Sequence, residues 1–178
     1  MPAMVARKKP VPLAASAVSV ASSPAPAVRA AGETTAQPAL ASVLGYQLAQ
    51  AAVAANEVFM RQVGDVLDLR PVEYTILALV HENPGLSSAR LAQTLSVSPP
   101  NITVWIDRLA GRGWVQREPS ATDRRERLLH ATAEGARLAA DATARLVAAE
   151  REAFAHLSAG ERAILGELLH KLGRAPGA

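Results

Sequence analysis

Cysteine is absent from this chain of 178 residues, and several classes of site are excluded with it. Without thiols the protein has no disulfide framework, no cysteine nucleophile, no thiol redox sensor and no cysteine-ligated zinc. No run of the sequence approaches the roughly 18 apolar residues that a membrane-spanning helix needs. The four histidines are scattered, without the tight spacing of metal ligands. We therefore expect a cytoplasmic protein with no metal, no cofactor and no membrane partner.

Signatures of catalysis are missing as well. The chain contains no nucleophile elbow and no glycine-rich phosphate loop, and no pair of carboxylates stands out from the surface charge. A hydrolase or transferase would instead have to depend on a residue such as Tyr74 or His81. We predict that the protein is not an enzyme.

Basic charge is concentrated in one segment. The formal net charge is +3, but residues 1–38 already account for it, so that residues 39–178 are neutral overall. Within that neutral part, residues 98–131 hold six arginines and four carboxylates, whereas residues 39–97 have an acidic excess. A nucleic-acid partner must therefore be argued from the local placement of charge and not from the isoelectric point.

Residues 1–38 hold six of the twelve prolines in a background of alanine, serine and valine. Such a segment has little bulk to bury and cannot sustain a helix, so we predict a disordered tail. A secretory signal is the alternative, because basic residues precede an apolar stretch. Pro10 and Pro12 interrupt that stretch, which favours the tail.

From Leu40 onward the pattern is mainly helical. Apolar spacings of three and four residues, proline and glycine boundaries and capping residues predict six helices and two strands. A long helix runs from about Leu40 to Gly64–Leu67. It is followed by a helix from Pro71 to about His81, a short helix after Ser87 or Ser88, a helix opened by Ser98 and Pro99, strands over Trp114–Arg117 and Arg127–Ala131, a long helix capped by Thr132, and a last helix with a capping box of Ser158 and Glu161.

The short third helix, its turn and the proline-opened fourth helix predict a helix-turn-helix, and the two strands predict a β-hairpin wing beside it. On the fourth helix an apolar stripe must face the domain, which leaves Pro100, Asn101, Thr103, Val104 and Asp107 outward with Arg108 on the flank. Asparagine suits adenine edges, while threonine and valine suit a thymine methyl group; Ser98 at the helix start suits a phosphate. A plain polar helix face is the alternative, and the adjacent arginine-rich hairpin favours DNA.

The stretch LSSARLAQTLSVSPPNITVWIDRLAGRGWVQREPSATDRRERLLHATAEG resembles the winged-helix core of the MarR family of bacterial transcription regulators. The family pattern DRL…RG.V.R falls within Ser98–Arg117, its wing motif D.R matches Asp123 and Arg125, and its T..G matches Thr132 and Gly135. The closing LSAGERAILGELLHKL is similar to the last helix of the family, so the resemblance covers about residues 40–172. Pro99 and Val104 depart from it, because the family often has basic or polar residues there.

The resemblance implies a mainly α fold with a small β-hairpin wing: a winged helix-turn-helix DNA-binding domain over residues 69–131, and a helical dimerisation region over 39–68 and 132–174. It implies a homodimer whose two winged domains bind a pseudo-palindrome in double-stranded DNA, with Arg124 and Arg125 at the wing tip near the minor groove and Asp123 orienting Arg125. Arg112 and Arg117 either flank phosphates or only solvate the base of the hairpin. Arg124 and Arg127 are also compatible with ion pairs to Glu118 and Glu126.

The family commonly has a site for small aromatic or phenolic acids between the dimer helices and the winged domain. The candidate lining residues in this chain are Tyr46, Phe59, Tyr74, His81 and Trp105, each of which is also compatible with ordinary packing. We thus expect a ligand-responsive, homodimeric repressor. The alternative is a winged-helix architectural or protein-interaction module without ligand control.

Overall fold

The computed structural model describes residues 39–120 and 127–173, and the prediction of a disordered tail over 1–38 lies outside them. The fold is mainly helical with one small antiparallel sheet, as predicted. Its elements in chain order are α1 (Leu44–Phe59), a π-helical turn (Met60–Gly64), α2 (Asp65–Leu67), α3 (Pro71–Glu82), β1 (Leu86–Ser87), α4 (Ser88–Thr94), α5 (Pro99–Gly111), β2 (Val115–Pro119), β3 (Arg127–Ala131), α6 (Ala133–Ala153) and α7 (Ala159–Gly173).

Side-chain caps fix the starts of three helices. The Ser87 hydroxyl accepts the Arg90 N–H at 3.4 Å, and the Thr132 hydroxyl accepts the Gly135 N–H at 3.1 Å. Ser158 and Glu161 form the predicted capping box, in which each side chain accepts the backbone N–H of the other at 3.2 and 2.7 Å. These N-terminal N–H groups have no partner within their helix, so the caps define where the helices begin.

The first long helix begins at Leu44, four residues later than predicted, and extends to Leu67 as predicted, but it is not uniform. The turn that follows α1, Met60–Gly64, is π-helical, and it places Val63 and Gly64 in buried positions after a largely exposed stretch. The helix ends at Asp68, which adopts the left-handed conformation at φ 49° and ψ 49°. Pro71 then opens α3 in its first turn, where the missing N–H of proline is not needed.

The sheet has three strands in the order β1-β3-β2, one strand more than the predicted hairpin. β1 is only two residues long and pairs Leu86 with Leu129 of β3. β2 starts and ends later than predicted, and its register with β3 runs from Val115 opposite Ala131 to Pro119 opposite Arg127. The second wing strand is therefore the central strand of the sheet, hydrogen-bonded on both sides.

One continuous core joins the winged helices to the helices on either side of them. Ile76 and Leu77 of α3, Ile102 and Ile106 of α5, and Leu129 of β3 are fully buried. Phe59, Val63, Ala139, Ala142 and Leu146, from the π-turn region and α6, belong to the same cluster. Since α7 contributes no buried residue, its apolar side chains remain uncovered in the single chain.

Candidate nucleic-acid interface

Helix α5 divides into a buried and an exposed face, as its sequence predicts. Ile102, Ile106 and Leu109 are 0–1% exposed and anchor the helix in the core. Pro100, Asn101, Thr103, Val104 and Asp107 are exposed, and Val104 exposes 57% of its surface. Burial of one face thus fixes which side chains the helix presents to a partner.

The polar side chains on this exposed face differ in whether they already make a hydrogen bond within the protein. The Thr103 hydroxyl donates to the Pro99 carbonyl at 3.1 Å, so its methyl group is the feature left for a partner. Within residues 39–120 and 127–173, no hydrogen bond engages the Asn101 side-chain amide. Asn101 therefore retains the donor and acceptor pair that a bidentate contact to adenine uses.

The start of α5 corrects one prediction. Ser98 occupies the N-cap position, but its hydroxyl makes no capping hydrogen bond. Pro99 and Pro100 have no N–H, which leaves Asn101 as the first backbone donor of the helix. The Asn101 N–H donates to the Ser98 carbonyl at 3.1 Å. The helix start can therefore offer a phosphate the exposed Ser98 hydroxyl, but not the cluster of free N–H groups typical of anion sites.

Three of the arginines predicted to contact DNA have partners inside the protein. Arg108 Nη1 lies 2.9 Å from Glu73 Oε1. Arg117 Nη2 lies 2.5 Å from Asp107 Oδ1 and thereby ties the wing strand β2 to the exposed face of α5. These tertiary ion pairs were not predicted from the sequence, because the partners of each pair are ten or more positions apart.

Arg112 is the third of these arginines. Its guanidinium donates to the carbonyl oxygens of Asp68 and Leu67 at 2.6 and 2.9 Å, and it stacks 3.9 Å from the centroid of the Trp114 ring. The sequence prediction left open whether this residue flanks phosphates or solvates the hairpin. The geometry gives it a third role, since it binds the backbone at the end of α2.

The base of the wing is well defined. Five pairs of residues join β2 to β3, and His130 Nε2 lies 3.7 Å from Glu118 Oε2 across the sheet. The predicted tip residues Asp123, Arg124 and Arg125 lie outside the described residues. Arg127, the first residue of β3, is exposed.

The junction between wing and α6 explains the T..G pattern. The Thr132 hydroxyl donates to the Gly113 carbonyl at 2.7 Å while it caps α6. Gly135 packs so tightly that an added Cβ would lie 2.8 Å from the Trp114 carbonyl carbon and nearer still to its oxygen. Only glycine allows α6 to approach the turn after α5 this closely.

None of the candidate effector residues lines either of the two open cavities given below. Phe59 and Tyr74 pack together with their ring centroids 5.7 Å apart, and the Tyr74 hydroxyl pairs with Thr143 Oγ1 at 2.9 Å. Trp105 and Tyr46 are half-buried and His81 is exposed. Two open cavities of about 310 and 270 Å³ lie elsewhere, lined by Met60, Gly64, Asp65, Asp68, Leu69, Arg70 and Pro71, and by Val58, Arg61, Gln62, Ala149, Glu152 and Ala153.

Comparison with known proteins gives this geometry a family. The MarR family model matches residues 69–126, which span α3 to the wing. A putative transcriptional regulatory protein for the hcr operon of Thauera aromatica is 32% identical over 135 residues, covering 76% of this chain and 81% of that protein. The chain belongs to the MarR family.

Two further similarities agree with this assignment. The HTH-type transcriptional repressor Rv2887 of Mycobacterium tuberculosis is 35% identical over 107 residues, covering 60% of this chain and 77% of that protein. The solved structure of the transcriptional repressor CouR bound to a 23-mer DNA duplex has a TM-score of 0.71 and 32% identity, and covers 80% of this chain and 100% of that one.

This MarR-family protein is accordingly a DNA-binding transcriptional regulator and not an enzyme. Residues 39–120 and 127–173 contain no group of three or more histidine, aspartate and glutamate side chains arranged to hold a metal ion. In the same ranges, no helix has both the length and the apolar character to cross a membrane.

Proposed function

We propose that the protein is a homodimeric repressor in the cytoplasm, which binds a pseudo-palindromic operator and is released by a small aromatic or phenolic acid. The observation that carries this proposal is the exposed face of α5, where Asn101, Thr103 and Val104 stand beside the wing base. The division into a winged domain over 69–131 and a dimerisation region over 39–68 and 132–174 is part of the proposal.

Uncovered apolar surface supports the dimer. In α7, five large apolar side chains are 44–59% exposed in the single chain: Ile164, Leu165, Leu168, Leu169 and Leu172. Leu44 near the start of α1 is 68% exposed. A soluble monomer rarely exposes so many neighbouring apolar groups, so a second copy is expected to cover them. The paired winged domains would then lie roughly 34 Å apart, one turn of duplex DNA.

The groups at the interface suit different parts of the duplex. Asn101, Thr103 and Val104 suit base edges in the major groove, because they provide an amide, a methyl group and an apolar surface. The Ser98 hydroxyl and the Pro100 edge lie at the end of α5 that would face the backbone. Arg124 and Arg125 would supply the charge at the wing, oriented by Asp123, and most of the dependence of affinity on salt.

An effector would act by favouring one arrangement of the two winged domains. A ligand with different affinities for the DNA-competent and DNA-incompetent spacings shifts the equilibrium between them and releases the operator. Tyr46, Phe59, Tyr74, His81 and Trp105 remain the predicted lining residues. The Phe59–Tyr74 contact supports a role for this region, since it joins the dimer helix α1 to α3 of the winged domain.

Two variants test whether Asn101 provides sequence discrimination and Arg125 provides general affinity for DNA. Asn101→Ala should reduce discrimination between a selected duplex and a random duplex, whereas Arg125→Ala should weaken binding to both. Binding is measured by fluorescence anisotropy over a series of salt concentrations, with Arg145→Ala as the control because Arg145 pairs with Asp141 on the surface of α6. Unchanged duplex binding by Arg125→Ala would favour the architectural or protein-interaction alternative.

A thermal-shift screen tests the effector. Aromatic carboxylates that bind the folded protein should raise its melting temperature in proportion to the logarithm of ligand concentration. A hit should also weaken binding to the selected duplex. If a hit stabilises the protein without affecting DNA affinity, the proposed link between ligand and operator release is wrong.

A further inference from the structure

Residues Asp68–Arg70 form the linker between α2 and α3. This linker connects the proposed dimer region to the winged domain. Leu69 in its centre is 2% exposed, and its N–H donates to the Gly64 carbonyl at 3.1 Å. The Arg70 N–H donates to Glu73 Oε2 at 3.1 Å. This linker is therefore held firmly against the core.

Two arginines connect α5 to this linker, Arg108 through Glu73 of α3, and Arg112, the C-cap residue of α5, directly. Near the C-terminus of α5, Arg108 Nη1 lies 2.9 Å from Oε1 of Glu73, the residue that accepts the Arg70 N–H. One turn further on, Arg112 donates to the carbonyls of Leu67 and Asp68, which end α2 and lack partners within the helix. Arg108 of α5 and Arg112 at its C-cap thus fasten the DNA-facing helix to the linker.

The contact between Arg108 and Glu73 is costly to break because Glu73 is only 1% exposed. Its Oε1 atom makes an ion contact with Arg108 but no aligned hydrogen bond in the described part of the chain. If Arg108 turned away to bind a phosphate, a buried carboxylate would lose its cationic partner, which is strongly unfavourable. Arg108 is therefore poorly placed to serve as a DNA contact, although the sequence suggested that role.

We propose that Arg108 and Arg112 are positioning residues that fasten α5 to the Asp68–Arg70 linker, so that α5 follows the dimer helices when the two winged domains change their spacing. The inference rests on the proposed function and adds to it a physical connection between the DNA-facing helix α5 and the dimer helices. Arg112 is suited to this role because its guanidinium is engaged by two carbonyls and by the Trp114 ring at once.

A double-mutant cycle on the first contact tests the proposal. Glu73→Gln keeps an oxygen for the Arg70 N–H, and Arg108→Met keeps the aliphatic stem, so both variants are designed to fold. Each should weaken binding of the dimer to a duplex selected from a randomised pool by roughly 3- to 30-fold. The double variant should bind no more weakly than the weaker single variant, because both substitutions remove the same contact.

The salt dependence distinguishes positioning from direct contact. A phosphate contact contributes about 0.9 to the slope of log affinity against log salt, so its loss would make the slope shallower by that amount. We expect Arg108→Met and Arg112→Met to lower affinity for the selected duplex while leaving the slope as in the wild type. A slope that is shallower in Arg108→Met but not in Glu73→Gln would overturn the proposal, as would effects that multiply in the double variant.

Arg145→Met is the matched control, since it removes an arginine paired on α6 without touching the linker. It should bind the selected duplex as the wild type does. Arg112→Met provides a second route if the buried substitutions prevent folding, because the Arg112 side chain is 33% exposed. Wild-type affinity in Arg112→Met would refute the fastening at that point. Failure of the wild type to prefer any duplex would instead refute the proposed function, and the positioning role with it.

Discussion

Gly135 offers a sharp test of the packing between wing and α6. In Gly135→Ala the new Cβ would lie 2.8 Å from the Trp114 carbonyl carbon and 3.0 Å from its Cα. Ordinary contact begins near 3.4 Å, so the carbon alone requires the backbone to separate by about 0.6 Å, and the nearer carbonyl oxygen requires more. The obstacle is main chain, and the Trp114 carbonyl accepts the Thr132 N–H at 3.0 Å, so neither side can turn away as a side chain would.

The expected cost follows from these distances. Overpacking in well-packed sites costs about 1–3 kcal/mol, and a backbone obstacle places Gly135→Ala at the upper end of that range. Alanine recovers at most about 1 kcal/mol through its higher helix propensity. We therefore expect a net loss of about 2 kcal/mol or more, equivalent to a fall in melting temperature of roughly 4–8 °C for a chain of this size.

Urea denaturation followed by circular dichroism measures this loss, at one fixed protein concentration because the proposed dimer would gain stability with concentration. Gly166→Ala on α7 is the matched control, since an added Cβ meets nothing within 4 Å there. It should stabilise the protein by about 0.5–1 kcal/mol. If Gly135→Ala behaves like Gly166→Ala, the close approach of α6 to Trp114 is not a feature of the native protein.

Three further predictions follow from described contacts. Thr132→Ala loses both the cap of α6 and the hydrogen bond to the Gly113 carbonyl, so it should lower the free energy of unfolding in urea by about 1–2 kcal/mol. Ser98 makes no capping hydrogen bond, so Ser98→Ala should change that free energy by no more than about 0.5 kcal/mol. Equal losses in the two variants would contradict this prediction. Leu168→Glu should convert the dimer to monomer in analytical ultracentrifugation while Glu167→Gln leaves it intact, and a dimeric Leu168→Glu would exclude this face of α7. Hydrogen bonds from the Ser158 backbone N–H and hydroxyl lower the pKa of Glu161 below its ordinary 4.5. Its contribution to stability should therefore be present above pH 4.5 and disappear as the pH falls through the lower folded pKa. The melting temperatures of the wild type and Glu161→Gln should then become equal in acid. Melting curves over a pH series and an NMR titration of Glu161 would check this.

The helices were predictable because their signals are local. The capping groups of Thr132 and Ser158 lie three residues from the groups that they cap, and α5 shows its buried face through residues three and four apart. Such patterns are complete within one turn of helix. Most helix boundaries and the exposed face of α5 therefore agree with the structure, whereas the first helix begins at Leu44 and not at about Leu40.

The features that were missed depend on distant parts of the chain. β1 consists of two residues, and its pairing with Leu128 and Leu129 of β3 makes it a strand. The partner of Arg108 is Glu73, 35 positions earlier, and no periodicity connects them. A sequence can show that an arginine lies on the flank of a helix, but not whether the fold supplies a carboxylate there. For this reason the sequence placed Arg108, Arg112 and Arg117 at DNA without showing their partners within the protein.

The central place of β3 in the sheet has a consequence for how such a regulator can change its target. A one-residue slip of β3 against its neighbours would turn Leu129 from the core towards solvent, so the paired residues tolerate no insertion. The described register of β2 and β3 ends at Pro119 opposite Arg127, and residues 120–126 lie between these two in the chain. Exchanging that stretch among related proteins should therefore transplant the contacts made by the wing while the rest of the molecule keeps its alignment.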